Sequence, residues 1–227
     1  NPASEVTALG GNGLRLGVIG GDEAGKHLTD VLHKHGIRTD GLLVCADRPT
    51  TLKTRIMAQM GLRFPQQVAR VDTLTREPID AKTEAHLLAK ISEYISSETV
   101  HALLVSDYQA GLLTPTLIKA LRDQLFGNVL LTADAQGALE KYNGFDLVKC
   151  NADDASAYLR RDLNTDADFA AAARDLQQRL GILGAMVITR GADGATLATA
   201  EGGITHCPAP AVSDVYDTVG AGDTAIA

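Results

Sequence analysis

Short apolar segments alternate with amphipathic segments along most of this chain, and this alternation constrains the fold more than any other feature of the sequence. Residues 14–19 form an apolar run, and the segment after it repeats apolar side chains at helical spacing. The same order returns later, where predicted helices begin at Asp80 and Thr114 and apolar runs occupy residues 100–105 and 129–132. Short apolar strands separated by amphipathic helices predict a parallel sheet that is covered on both faces.

Two pairs of segments break the alternation because no helix separates their strands. Residues 50–57 and 67–72 predict an antiparallel hairpin that projects from the α/β body as a flap, which we place at residues 48–72. Residues 194–200 and 203–207 predict a second antiparallel pair. The remaining segments continue the α/β series, with strands at 146–150 and 185–189 and helices at 152–159 and 166–180.

The composition fits one globular domain that binds a small molecule. The chain has 227 residues, of which 45% are apolar, and we expect one domain over residues 1–227. The formal charge is −7 and the pI is near 5.3, so without a basic cluster we expect no nucleic-acid surface. Cys45, Cys150 and Cys207 form no paired motif, which favours a reducing cytoplasm. No apolar run approaches the roughly 20 residues of a membrane span, so we expect no membrane contact.

Near the C-terminus, residues 217–223 read Asp-Thr-Val-Gly-Ala-Gly-Asp and precede a small apolar run. Gly220, Ala221 and Gly222 leave consecutive backbone N–H groups uncovered at the start of a predicted helix, which suits a developing phosphate charge. Asp223 then lies at the rim of this anion hole, where it can accept the proton of an attacking hydroxyl group. The alternative is a flexible entry to a helix with Asp223 as its N-cap.

Polar residues follow the predicted strands, and ligands bind at these carboxyl ends in open α/β sheets. Asn151 and Asp154 form an N-x-x-D step at a helix start. Helix capping alone explains this step and is worth about 1 kcal/mol, but such a carboxylate can also hold a water on Mg²⁺. Thr189, Gly191 and Gly194 form a T-x-G-x-x-G turn, which is either a hairpin turn or a turn that lets nucleotide phosphates and ribose approach the backbone.

In this order, the motifs resemble those of the ribokinase-like (PfkB) family of carbohydrate kinases. Lys149-Cys150-Asn151 is similar to the K-P-N of that family, and residues 217–223 resemble its signature. The resemblance covers nearly the whole chain. It implies a three-layer α/β/α fold with a mostly parallel sheet and a small β flap, with Asp223 as the catalytic base and with ATP and Mg²⁺ as cofactors.

The same resemblance implies roles for further residues. Asn1 falls where the family has its sugar-contacting asparagine, and Asp154 would hold Mg²⁺. The nucleotide would be bound by Lys149, Asn151, Thr189, Gly191, Gly194 and Asp217.

Within the family, residues 48–55, 66–72 and 106–108 resemble the flap strands and a strand-end motif of the kinase of ADP-heptose synthesis. That kinase phosphorylates the anomeric hydroxyl group of D-glycero-D-manno-heptose 7-phosphate with ATP. A sugar that already carries a phosphate requires cations near it. The candidate substrate-binding residues besides Asn1 are Arg48, Lys53, Arg55, Arg70 and Asp107. Ordinary solvated charge on the flap is the alternative explanation for the four cations.

The chain departs from the family pattern at two strand ends, where Ala110 and Gln136 replace the usual lysines. A lysine near a transferring phosphate neutralises charge, so the loss of two costs several kcal/mol of transition-state stabilisation unless other cations substitute. Asp154 replaces the usual glutamate and shortens the reach to Mg²⁺. A kinase for another sugar or nucleoside, a slow kinase, and a lapsed module that binds a sugar phosphate or a nucleotide all stay open.

Compared with the family, the sequence begins at the sugar-contacting asparagine and stops inside the helix that follows Asp223. We therefore expect both family termini to be missing from it. The edges of a projecting flap must be covered, so we expect a homodimer that forms through the flap.

Overall fold

The structure, a computed structural model, describes residues 2–59, 61, 66–210 and 220–226. Its helices and strands, in chain order, are α1 (Pro2–Ala8), β1 (Leu14–Gly20), α2 (Glu23–Lys34), β2 (Arg38–Cys45), β3 (Leu52–Ala58), β4 (Gln66–Thr73), α3 (Ala81–Ser97), β5 (Ala102–Asp107), α4 (Pro115–Leu125), β6 (Leu130–Ala135), β7 (Leu147–Asn151), α5 (Ala152–Leu159), α6 (Asp166–Arg179), β8 (Ala185–Thr189), β9 (Ala195–Thr199), β10 (Ile204–Cys207) and α7 (Ala221–Thr224). Two short 3-10 helices, Leu139–Tyr142 and Gly191–Asp193, follow β6 and β8.

The main sheet has six strands in the order β10-β9-β8-β7-β6-β5. The four strands β5 to β8 are parallel, whereas β9 runs antiparallel to β8 and β10 antiparallel to β9. A separate parallel pair is formed by β1 and β2. This confirms the predicted three-layer α/β/α fold with a mostly parallel sheet. The carboxyl ends of the parallel strands β5 to β8 therefore lie next to one another at one edge of the sheet.

The helices begin where the sequence supplies a capping side chain. Asp22, Asp80 and Thr114 each have an extended backbone and accept a hydrogen bond from the backbone N–H three residues later. Thr165 and Asp168 form a reciprocal capping box at the start of α6. These caps satisfy N–H groups that a helix leaves without intrahelical partners, so they fix the helix starts.

The core lies between the main sheet and its helices. Leu131, Val148 and Ile188 from the parallel strands are almost fully buried, as are Ile118 of α4 and Leu176 of α6. Burial of a side chain of this size contributes roughly 1.5–3 kcal/mol, so these residues hold the strand ends in place.

None of the helices in the described ranges is long and apolar enough to cross a membrane.

The flap contains the antiparallel pair of β3 and β4, as predicted, and every residue of these two strands is exposed. Its base is held by Thr50, whose backbone N–H and hydroxyl group donate to the two carboxylate oxygens of Asp22 at 2.9 and 2.6 Å. The same hydroxyl oxygen accepts the N–H of Gly20 at 2.8 Å. A Cβ atom at Gly20 would lie 2.7 Å from the carbonyl oxygen of Arg48, so glycine is required where the flap meets β1.

Candidate active site

Asp223 lies in the first turn of α7, beside the end of β5. The hydroxyl group of Tyr108 donates a hydrogen bond to Oδ1 of Asp223 at 3.0 Å. Burial, followed by the charge of Asp223, raises the pKa of Tyr108 to about 12, so the phenol is protonated at neutral pH. The N-cap of α7 is Gly220, which has a left-handed backbone with φ of 90°, and Asp223 is therefore not the cap. The carboxylate is held beside the main sheet by the side chain of Tyr108, the residue that directly follows β5.

The predicted anion hole lies against a buried cation. Gly220, Ala221 and Gly222 form the start of α7, where N–H groups have no intrahelical acceptor. A Cβ atom at Gly222 would lie 3.1 Å from Nζ of Lys149, so the ammonium group borders the backbone of this turn. Lys149 is 6% exposed and pairs with the buried Asp134 at 2.8 Å. The positive charge of Lys149 therefore lies where the motif predicts that negative charge develops.

Arg15 of β1 is a residue of this site that the sequence reasoning missed. Burial lowers the pKa of Arg15, while the charge of Asp223 acts in the opposite direction. Its guanidinium group is therefore within electrostatic reach of the predicted base. One signal was present in the sequence, because Arg15 is the only charged residue within the apolar strand Leu14–Gly20.

Asp154 has one carboxylate oxygen that suits a cation. Its Oδ1 accepts the N–H of Gly137 at 3.0 Å, and among the residues that the structure describes no group bonds to the buried Oδ2. Burial raises the pKa of Asp154. Mg²⁺ in phosphate-transfer sites takes one or two carboxylates together with phosphate oxygens and water, so an Oδ2 atom that makes no such hydrogen bond fits this ion. Asn151 caps α5 by accepting the N–H of Asp154 at 2.7 Å, as the capping alternative predicts.

The T-x-G-x-x-G segment connects β8 to β9 through a 3-10 helix. Gly191 and Gly194 both have positive φ, of 61° and 85°. A Cβ atom at Gly194 would lie 2.0 Å from the carbonyl oxygen of Cys207, whereas none of the residues that the structure describes comes within 4 Å of one at Gly191. Gly194 is therefore needed for packing against the chain after β10, and the backbone at Gly191 is open to a ligand. Thr189 ends β8 beside Asn151, the last residue of β7.

Three of the predicted substrate cations share one face of the flap. Successive strand residues point to opposite faces, so Lys53 and Arg55 lie on one face, and Arg70 joins them because it pairs with Arg55 across the hairpin. Nζ of Lys53 lies 4.5 Å from the centroid of the Tyr108 ring, which places this face toward Asp223. Nε of Arg70 also pairs with Asp72 at 3.0 Å. We call this surface the cationic flap face: Lys53, Arg55 and Arg70.

Arg48 is not part of the cationic flap face. Its Nη2 donates to the carbonyl oxygens of Glu77 and Ala110, at 3.2 and 3.0 Å. Arg48 therefore links the base of the flap to the loop after β5. Its partner Ala110 in that loop stands at one of the positions where the family lysine is replaced. Substrate binding by Arg48 stays a prediction.

Asp107 is buried and its carboxylate is occupied by the protein itself. It accepts the N–H of Gln109 at 2.7 Å and the hydroxyl group of Tyr142 at 2.6 Å, and it pairs with Lys141. Lys141 also donates to the carbonyl oxygen of Leu113. The geometry indicates a structural role at the end of β5, and it does not support the prediction that Asp107 contacts the substrate. Asn1 and Asp217, predicted for the sugar and the nucleotide, lie outside the described residues.

Comparison with protein families and relatives identifies the family of this chain. The model of the pfkB family carbohydrate kinases matches residues 1–227. The bifunctional protein HldE of Hyphomonas neptunium is 33% identical over 229 residues, and that of Azorhizobium caulinodans is 35% identical over 230 residues. Both matches cover 100% of this chain but 45% and 46% of the relatives. The chain thus spans about half the length of these relatives.

Solved structures with a similar fold include phosphofructokinase-2 from Escherichia coli. A mutant of that enzyme matches with a TM-score of 0.75 at 21% identity, and its complex with substrates and products matches with a TM-score of 0.74 at 18% identity. Each match covers 98% of this chain and 70% of the other. At these identities the likeness concerns the fold, and the family match over the full length carries the assignment. The chain belongs to the pfkB family of carbohydrate kinases, which are phosphotransferases that act on hydroxyl groups.

Proposed function

We propose that this chain transfers the γ-phosphoryl group of ATP to the anomeric hydroxyl group of a sugar phosphate, D-glycero-D-manno-heptose 7-phosphate. The observation that carries the proposal is the position of Asp223, held by Tyr108, one residue after a glycine that borders the ammonium group of Lys149. A carboxylate, a buried cation and the uncovered amides of a helix start are the parts that phosphoryl transfer to a hydroxyl group requires.

The reaction then follows from these positions. Asp223 accepts the proton of the sugar hydroxyl group while the oxygen of that hydroxyl group attacks the γ-phosphorus. The bond between that phosphorus and the leaving oxygen of ADP breaks in the same step. The N–H groups of Gly220, Ala221 and Gly222 donate to the oxygens of the phosphoryl group in transfer. Lys149 adds positive charge beside Gly222.

We place the nucleotide at the ends of β7 and β8. Thr189 and Asn151 lie side by side there, and the open backbone at Gly191 lets a phosphate or ribose approach. Oδ2 of Asp154 would hold Mg²⁺ directly or through a water, and the ion would supply positive charge that draws phosphate oxygens together. The roles of Lys149, Gly194 and Asp217 at the nucleotide stay part of the same proposal.

A sugar that carries its own phosphate fits the cationic flap face. Arg55 and Arg70 are directly opposite each other on the hairpin, and like charges at such positions are unfavourable unless an anion or another partner lies between them. A phosphate accepts several hydrogen bonds from guanidinium groups at once. The flap would close over the sugar and exclude water from the transfer step. We place these elements in one kinase domain, residues 1–227, of a cytoplasmic protein.

A second candidate is a kinase for a different sugar or nucleoside, or a lapsed module that binds a sugar phosphate or nucleotide. The observation that favours it is that Ala110 and Gln136 stand at the usual lysine positions. The backbone of Ala110 is held by Arg48, and that of Gln136 accepts from the side chain of Gln109, so both loops are packed without a lysine.

Two measurements on the complete protein test the proposal. ATP consumption with a panel of sugars, sugar phosphates and nucleosides should show a preference for the heptose 7-phosphate, and preference for an unphosphorylated sugar would contradict it. Asp223→Asn should lower kcat about 10²–10⁴-fold, the range for a lost general base, while Asp123→Asn on the exposed side of α4 leaves kcat unchanged. Calorimetry that finds no binding of ATP with Mg²⁺ would favour the non-catalytic module.

We also propose that the flap mediates a homodimer. The face opposite the cationic flap face carries Leu52, Ile56 and Val71, which are 47%, 50% and 56% exposed. An exposed apolar surface on a strand pair marks a site of protein–protein contact, and the same surface of a second flap matches it. Sedimentation of the complete protein should give a dimer, and Ile56→Lys should give a monomer at the same concentration.

A further inference from the structure

Tyr108 contacts two parts of the proposed machinery with two different parts of its side chain. Its hydroxyl group donates to Oδ1 of Asp223 at 3.0 Å. Its ring lies under the ammonium group of Lys53, which is 4.5 Å from the ring centroid. Lys53 belongs to the flap strand β3, and Asp223 belongs to α7. A single side chain at the end of β5 thus bridges the flap and the proposed base.

We propose that Tyr108 is a positioning residue that couples the position of the flap to the orientation of the Asp223 carboxylate. The proposal rests on the proposed function of Asp223 as the base. A hydrogen bond to Oδ1 restricts rotation of the carboxylate and so fixes its orientation toward the substrate hydroxyl group. The ring is held from the other side by Lys53, and this contact exists only while the flap lies over the site. Closing of the flap therefore fixes the base.

The surroundings of Tyr108 favour this role over a purely structural one. The residue is 41% exposed and is not part of the hydrophobic core, so its ring gains little from packing. A cation over an exposed aromatic ring makes a weak contact, which is sufficient to bias a flap but too small to hold the fold. Two charged groups of neighbouring strands also belong to these surroundings. Arg15 of β1 interacts with the charge of Asp223, and Asp134 of β6 contributes to the raised pKa of Tyr108.

The first test removes the hydroxyl group and keeps the ring. Tyr108→Phe in the complete protein should lower kcat about 10- to 100-fold, the cost of a slightly misplaced catalytic group, with KM for ATP within about twofold of wild type. The matched control is Tyr158→Phe on α5, which removes a hydroxyl group from a residue packed at the edge of the core and should leave kcat unchanged. Wild-type kcat in Tyr108→Phe would overturn the proposal, because the hydroxyl group is its only link to Asp223.

The second test asks whether Lys53 acts through Tyr108. Lys53→Met should lower kcat several-fold when Tyr108 is present, and it should cause no further loss of kcat in the Tyr108→Phe background. Any effect of Lys53 on the substrate phosphate should instead raise KM for the sugar by the same factor in both backgrounds. An equal loss of kcat in the two backgrounds would show that Lys53 and Tyr108 act independently.

A third measurement requires no turnover and separates this inference from the proposed function. In protein with ¹³C-labelled tyrosine, the NMR titration of Tyr108 should give a pKa near 12, and Asp223→Asn should lower it toward the ordinary value of tyrosine. An unchanged titration would exclude the contact. If Asp223→Asn keeps full turnover, the proposed base is wrong and the inference fails with it; if only Tyr108→Phe keeps full turnover, the inference alone fails.

Discussion

Nζ of Lys149 lies 2.8 Å from Oδ1 of Asp134, and this buried ion pair borders Gly222 in the proposed anion hole. Lys149 comes from β7, Asp134 from β6 and Gly222 from α7. Burial raises the pKa of Asp134, while Lys149 opposes this rise and Asp223 adds to it. The pair therefore keeps the ammonium group of Lys149 beside Gly222, and it compensates the negative charge of Asp134.

Lys149→Met should reduce the free energy of unfolding by about 3–5 kcal/mol at pH 7, because it leaves Asp134 buried without its partner. The double variant Lys149→Met/Asp134→Asn should recover most of this loss in urea denaturation but no kcat, since the cation beside Gly222 is still missing. The control is Lys119→Met, whose exposed pair with Asp123 should contribute at most about 1 kcal/mol. Recovery of kcat in the double variant would show that Lys149 has only a structural role.

The two glycines of the T-x-G-x-x-G segment should behave differently when a methyl group is added. Gly194→Ala should reduce stability by at least about 2–3 kcal/mol, because it combines positive φ with an overlap against the carbonyl oxygen of Cys207. Gly191→Ala should reduce stability by about 1–2 kcal/mol, the strain of a left-handed backbone alone. It should raise KM for ATP by a larger factor than Gly194→Ala does. Urea denaturation and initial rates at varied ATP give both quantities. Equal effects of the two variants on KM would contradict the assignment of the open backbone to the nucleotide.

Most of the helices and the parallel strands β5 to β8 were predictable because their signals are local. The N-cap Thr114 followed by a proline, for instance, sets the start of α4 in both sequence and structure. The strand β2 was missed because polar residues fill its first half, and their partners are distant. Arg38 pairs with Glu98 beyond α3 at 2.6 Å, and the hydroxyl group of Tyr94 in α3 donates to Asp40. Only the tertiary structure compensates these charges, so no local pattern indicates a strand there.

The same reasoning explains which parts of the site the sequence indicated. Asp223 and Asp154 belong to contiguous motifs, in which spacing alone indicates a role. Arg15 and Tyr108 reach the site from other strands, and their contacts depend on how β1 and β5 are placed. Asp107 is a further case, because its place at a strand end does not show that Tyr142 and Lys141 contact its carboxylate, and substrate binding by Asp107 stays a prediction.

Asp107→Asn distinguishes the structural role of this residue from substrate binding. Because the change leaves Lys141 without its buried partner, the free energy of unfolding should fall by about 3–5 kcal/mol. KM for the sugar should stay within about twofold of wild type at a temperature where the variant is folded. A stable variant with a strongly raised KM would restore Asp107 as a substrate ligand. Urea denaturation and sugar titrations on the same preparation decide between the two.

Asp154→Asn should make the protein more stable at neutral pH but a weaker magnesium binder. Burial raises the pKa of Asp154, so the ionised form is disfavoured in the folded state, and its cost is present above the folded pKa. The cost disappears as pH falls through the folded pKa, and the stability difference between the variant and wild type should narrow there. The Mg²⁺ concentration for half-maximal activity should rise about 10-fold or more. A variant that is less stable than wild type at pH 7 would contradict the assigned direction.

The opposed guanidinium groups of Arg55 and Arg70 lead to a prediction about substrate charge. Arg55→Gln should raise KM for a sugar 7-phosphate about 10-fold, because a charge-assisted hydrogen bond to phosphate is lost, and should leave KM for ATP unchanged. The same variant should have little effect on an unphosphorylated sugar, which offers no anion to this face. Lys26→Gln is the matched control, since Lys26 is an exposed cation of α2 outside the flap. If Arg55→Gln and Arg70→Gln leave KM for the sugar phosphate unchanged in kinetic assays, these cations are ordinary solvated charge, and the substrate phosphate must be held elsewhere.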